Sequence, residues 1–196
     1  ECQRGIMVNE YLETSAPDVY AIGDCAQIRE PLPGRRPIEA IWYTGRMMGE
    51  TVAHNICGKR NSYDPGIWFN SAKFFDIEYQ VYGTALARPP EHHQSIYWEH
   101  EDGRKSIRIV YDRNTEEILG FNLMGVRFRH EVCEKWLANK THIDEVLQNL
   151  QLANFDPEFY RTHEAEVLNI YQQQTGKQLS LKQQRTWDKV FAFLKG

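Results

Sequence analysis

The rhythm of apolar and polar positions changes near residue 66. Before it, short apolar runs alternate with turn formers. Gly5-Ile6-Met7-Val8-Asn9 and Val19-Tyr20-Ala21-Ile22 read as two short strands, separated by a turn that begins at Thr14 and includes Pro17-Asp18. The breaker-rich stretch from Glu30 to Pro37 is a loop. A helix is predicted from Ile38 to Cys57, with Pro37 suited to its first turn and Gly58 to the residue that ends it. Gly45 and Gly49, with Ala53 next in line, thin one face of that helix, so another helix or a sheet is expected to pack closely there. Arg46, Glu50 and His54 exclude reading this spacing as a membrane dimer motif.

After the connector at 61–66, β-branched and aromatic runs follow at short intervals: Ser71–Ile77, Glu78–Gly83, Gln94–Glu101, Ser106–Tyr111 and Ile118–Val126. Asp102-Gly103 signals a hairpin and the run from Asp112 to Thr115 a polar turn, which favours an antiparallel sheet. Helical patterns then take over. His130–Asn139 places Val132, Cys133, Trp136 and Leu137 on one face, and Thr141 is a candidate cap for a helix to Leu150. Asp156-Pro157 opens a helix towards Gln174, and Ser180 with Gln183 forms a capping box for a last helix presenting Trp187, Val190, Phe191 and Leu194.

Composition narrows the picture by exclusion. A net charge of −4 suggests neither a nucleic-acid nor a membrane surface, and no apolar run is long enough to span a bilayer. The four cysteines (Cys2, Cys25, Cys57, Cys133) form no Cys-x-x-Cys pair, so the default is a cytoplasmic protein with reduced thiols and no metal site. The chain begins at Glu1 without a Met or an apolar leader, which is expected of a fragment.

The candidate chemistry lies at Gly23-Asp24. A Gly-Asp at the carboxyl end of a strand admits a ligand's close approach and offers it an acceptor; the plainer alternative is a turn cap. Thr14, Tyr20, Ala21, Gly23 and Asp24, with the strand at Gly5–Asn9 before them, resemble the second flavin-binding motif of the pyridine nucleotide–disulfide oxidoreductase superfamily. Ile41-Trp42-Tyr43-Thr44-Gly45-Arg46-Met47-Met48-Gly49-Glu50 is similar to the helix that follows this motif in rubredoxin-, ferredoxin- and nitrite-reductase-like members. The resemblance implies that Asp24 holds the ribityl chain of FAD, that Gly23 gives close approach, and that the backbone at Ile41 and Trp42 faces the flavin pyrimidine. It also places Trp42 beside the ring, with a core-facing Trp42 as the alternative. Cys25 lies near the flavin or is a small packed side chain. Phe74-Phe75-Asp76, Gln80-Val81-Tyr82-Gly83 and Glu117-Ile118-Leu119-Gly120 resemble strands of the same superfamily's interface domain, a likeness that thins beyond about Arg127.

Two departures shape the expected function. No Gly-x-Gly-x-x-Gly occurs, so the pyrophosphate and NAD(P)H sites are expected in upstream domains of a parent chain. The glutathione-reductase-like branch of the superfamily carries a His-Pro-x-x-x-Glu run near its end for thiol acid–base chemistry, and the corresponding area here has no His-Pro step; His163 is the sole nearby imidazole, read as a solvated helix residue or, less simply, a base. This favours flavin-to-acceptor transfer over disulfide reduction, with no catalytic side chain assigned in this chain. Other constellations carry little. His130-Glu131-Val132-Cys133-Glu134 lacks the second histidine of a zinc-protease helix, His92-His93 is expected in an exposed loop, Asp112 is a turn charge, and Arg35-Arg36 either meets phosphate or an acidic partner or is a solvated loop.

The expected fold class is α+β: a C-terminal fragment with the tail of an FAD-binding α/β domain (1–60), followed by an antiparallel-sheet-plus-helices interface domain (67–196). The expected function is part of an NAD(P)H-dependent FAD oxidoreductase with an unidentified electron acceptor, inactive alone, with a homodimer among its expected partners. The competing expectation is a protein-interaction or dimerisation module that retains the flavin motif, with Trp68, Tyr97, Trp98, Trp136 and Trp187 as candidate exposed aromatics.

Overall fold

Parallel pairing of two three-residue strands organises the first part of the chain. In this computed structural model, which describes residues 1–155, 163–182 and 193–194, β1 (Ile6–Val8) pairs with β2 (Ala26–Ile28), Met7 opposite Gln27. The strand expected at Val19–Ile22 is not one. Tyr20 makes an isolated antiparallel bridge to Glu13, and the Ala21 N–H donates to the Leu12 carbonyl, so this stretch closes a loop on its own upstream neighbours. The regular strand begins only after a 3-10 turn at Gly23–Cys25, and Gly23-Asp24 therefore precedes a strand instead of ending one.

The expected helix starts four residues late. Residues 38–41 are extended, tied by the Ile28 N–H donating to the Pro37 carbonyl, and α1 runs Trp42–Ile56. Its end follows the sequence. Gly58 sits at φ +80°, the Lys59 N–H reaches back to the His54 carbonyl and the Gly58 N–H to Asn55, a left-handed stop that glycine adopts without strain. Val8, Leu12, Ala21, Ala26, Met48 and Val52 form the core of this compact unit, which spans Glu1–Trp68.

Phe69–Gly196 is a second compact unit. Its five-stranded antiparallel sheet has the order β3 (Phe69–Phe74), β4 (Ile77–Gly83), β7 (Ile118–Met124), β6 (Ser106–Asp112), β5 (His93–Glu99). Alternation drives it: Trp98, Ile107 and Leu123 align across three strands, as do Ile96, Ile109 and Phe121, all buried. Helix α2 (His130–Ala138) covers the sheet with Val132, Cys133, Trp136 and Leu137, the face its periodicity predicts. Cys133 is fully enclosed, and burial first, the Glu131 charge second, push its thiol well above the ordinary range.

Helix α3 (Ile143–Gln148) is capped by His142, whose Nδ1 accepts from the Asp144 N–H, while Thr141 is occupied in backbone bonds to Trp136 and Ile118. Helix α4 (Glu164–Thr175) packs on β5. His163 precedes it and is 6% exposed, stacked on Trp98 at 4.2 Å, so it is a packed ring and not a solvated one. Trp98 and Trp136 are likewise buried, and of the named aromatic candidates Tyr97 is exposed. The Asp156-Pro157 step, Gln183 of the capping box and the residues Trp187, Val190 and Phe191 lie outside the described residues.

Candidate functional site

Gly23 adopts φ +72°, a backbone conformation that a side chain would strain. That conformation reverses the chain after Ile22 and sets Asp24 on the 3-10 turn. The turn rests on the thin face of α1: a Cβ on Gly45 would lie 3.6 Å from Gly23 Cα, and one on Gly49 would lie 3.9 Å from Ile22 Cδ1. What fills the glycine face of the helix is therefore this turn, not another helix or sheet. The Gly23 N–H points at the Met48 sulfur, 3.2 Å away.

This packing brings Gly23-Asp24 beside the first two turns of α1, with Ile41 and Trp42 at the helix start. Ile41 is the N-cap, extended at φ −135°, and its own side chain makes no cap hydrogen bond. The first intrahelical bond is from the Gly45 N–H to the Ile41 carbonyl, and the amide before it at Thr44 lacks an intrahelical acceptor, as at any helix start. The carboxylate of Asp24 is exposed and has no partner among the described residues, and a Cβ on Gly23 would meet open space. Trp42 is 69% exposed, so it is not core-facing in this chain, and Arg46 lies 5.8 Å from its ring centroid. Cys25 is exposed, its thiol 3.5 Å from the Ile22 carbonyl, which corrects the packed reading.

The sequence reading missed what holds the helix start in place. Glu39 is 8% exposed, and its carboxylate takes both nitrogens of the Arg35 fork, the Thr44 hydroxyl and the Arg36 N–H. Arg35 also donates to the carbonyls of Pro65 and Gly66. It is thus neither free for phosphate nor solvated, whereas Arg36 is exposed. The Arg35-x-x-x-Glu39 spacing was the available signal, concealed by the breaker-rich text around it. A cavity of about 290 Å³ adjoins this network, lined by Arg35, Arg36, Tyr63 and Met48 among others. The Tyr63 hydroxyl is buried there without a hydrogen-bond partner among the described residues, and burial pushes its pKa up to about 12.

Comparison with known proteins gives these residues a context. A family model described as pyridine nucleotide-disulphide oxidoreductase matches residues 1–54. The 5,5'-dehydrodivanillate O-demethylase ferredoxin reductase subunit of Sphingobium sp. is 34% identical over 110 residues, covering 56% of this chain and 25% of that protein. The CoA-dependent NAD(P)H sulfur oxidoreductase of Pyrococcus abyssi is 34% identical over 162 residues, 76% of this chain and 36% of that protein. Among solved structures, an NAD-dependent persulfide reductase from A. fulgidus superposes with a TM-score of 0.64 at 22% identity, over 88% of this chain and 35% of that one. This last likeness carries the fold alone. The chain spans about a quarter to a third of the length of these relatives.

Proposed function

We propose that this chain, whose residues 1–54 match the pyridine nucleotide-disulphide oxidoreductase family model, forms one wall of an FAD site within a longer NAD(P)H-dependent flavoprotein oxidoreductase. The observation that carries this reading is the exposed Asp24 carboxylate, without a partner among the described residues, on a glycine turn seated against the start of α1. The residues fit the group. Asp24 supplies an acceptor for the ribityl hydroxyls, Gly23 leaves room for close approach, and the amides at the start of α1, beyond Ile41, favour negative charge on the flavin pyrimidine. Trp42 offers an exposed aromatic face beside them. When bound, FAD supplies hydride acceptance from NAD(P)H and onward electron delivery; this chain's share is position and electrostatics.

The remaining cofactor contacts lie in other parts of the longer protein, so these 196 residues alone retain no FAD and turn nothing over. Three exposed cysteines unpaired in disulfides suit a reducing compartment such as the cytoplasm. No described helix is long and apolar enough to cross a membrane. The acceptor is a separate protein or small molecule that this wall does not identify.

In the longer protein, Asp24→Ala is expected to lower both bound flavin, read at its visible absorbance, and NAD(P)H-dependent reductase rate by at least tenfold. Unchanged flavin content and rate would reject the assignment. The alternative, a protein-interaction or dimerisation module, is favoured by one observation: Phe74 and Phe75 at the β3–β4 hairpin are 63% and 97% exposed. That reading predicts a colourless longer protein whose self-association is lost on Phe75→Ser, measured by sedimentation velocity.

A further inference from the structure

We propose that His92, His93 and Asp112 bind a divalent transition-metal ion. The sheet itself assembles this trio: His93 and Asp112 are cross-strand partners at the end of the β5–β6 ladder, and His92 is one residue outside it. The Arg113 N–H donates to the His92 carbonyl and the His93 N–H to the Pro90 carbonyl, which fixes the backbone on both sides of the pair. One ligand atom from each of the three side chains lies within 4.8 Å of the others. His92 Nε2 and Asp112 Oδ2 are 3.8 Å apart, and the two imidazoles stand edge to face with centroids at 4.5 Å.

Among the described residues no hydrogen bond occupies Asp112 Oδ2. Asp112 Oδ1 accepts the N–H groups of Asn114 and Thr115, which orients the carboxylate and leaves Oδ2 turned to His92. His93 Nδ1 is buried without a hydrogen-bond partner among the described residues, an arrangement that costs free energy unless something occupies it. Two imidazoles and a carboxylate suit Zn²⁺ and its first-row neighbours, with water completing the shell. A second cluster of Glu116, His142 and Asp144 has similar spacing, but the Lys177 ammonium already lies 2.7 Å from Glu116 and 3.2 Å from Asp144. That cluster holds its cation, whereas the His92 cluster has none among the described residues. An ion there would clip the start of β5 to the end of β6.

The test is equilibrium dialysis of the 196-residue chain against Zn²⁺ alone, with bound metal counted by mass spectrometry. One saturable site is expected, weakened at least tenfold by each of His92→Ala, His93→Ala and Asp112→Asn, and unaltered by His142→Ala. The Asn keeps an oxygen for the Asn114 and Thr115 amides. The His92 side chain is 47% exposed, so His92→Ala decides the matter should either other variant unfold. Absence of a saturable site, affinity kept by any of the three variants that folds, or loss in His142→Ala would overturn the proposal.

Discussion

Asp24 and Glu39 show how differently two carboxylates fifteen positions apart serve one small region. Asp24 is exposed and unpartnered, so the fold gains little from it, and Asp24→Ala should alter the stability of this chain by no more than about 0.5 kcal/mol. A urea titration of the chain checks this, and a large loss would mean that Asp24 is structural, a cap and not a ligand group. Glu39 is the reverse case. It is buried against Arg35, and Glu39→Gln leaves that guanidinium enclosed without its counter-charge, at a cost of about 3 kcal/mol in the same titration. The Gly-Asp pair was legible because a short motif carried it. Glu39 was not, because the Arg35-x-x-x-Glu39 spacing hints at a pair but not at its burial, which depends on where Pro65 and Gly66 return in space.

At the scale of elements, glycines separate what tolerates a side chain from what does not. A Cβ at Gly45 would make ordinary contact with Gly23 at 3.6 Å, so Gly45→Ala should stabilise α1 by up to about 1 kcal/mol, the helix preference for alanine. Gly45→Leu should instead push the Gly23 turn away, and in the longer protein reduce flavin retention while α1 persists by circular dichroism. Gly120 in β7 has no such latitude, since a Cβ would sit 2.6 Å from the Thr84 carbonyl oxygen. Gly120→Ala should cost about 2 kcal/mol, read as a lower thermal midpoint. The strands of the sheet and the buried face of α2 were readable because their periods are local. The start of α1 was not: Pro37 suits a first helical turn, but its carbonyl is needed by Ile28 of β2, and tertiary pairing overrode the local preference. The Val19–Ile22 run failed for a related reason, its backbone being spent on residues 12–14.

Across the whole molecule, polar clamps join elements distant in sequence. In the second unit, Lys177 after α4 reaches Glu116 in the β6–β7 turn and Asp144 in α3, which also accepts from the Tyr171 hydroxyl at 2.6 Å. The Lys177 hydrogen bond, ahead of that from His142, holds the Glu116 carboxyl below its ordinary 4.5. A lowered folded pKa means that this stabilisation is present above about pH 4.5 and is lost as pH falls through the folded value. Glu116→Gln should therefore lower the thermal midpoint at neutral pH, with the gap to the parent chain closing on acidification below that point. A gap that stays constant down to pH 3 would show that the charge is not responsible. His163 belongs to this scale too. Nothing around it in sequence foretold that it would stack on Trp98, 65 positions earlier.

The enclosure of Cys133 beneath α2 gives the molecule an internal gauge. Cys2, Cys25 and Cys57 are exposed and should alkylate at once with a maleimide, while Cys133, sealed and with its thiol held protonated, reacts only when the second unit opens. Peptide-resolved trapping kinetics at that sulfur would time the breathing of one unit without any engineered label, and agreement between its rate and the global unfolding rate would mark α2 as among the last elements to let go.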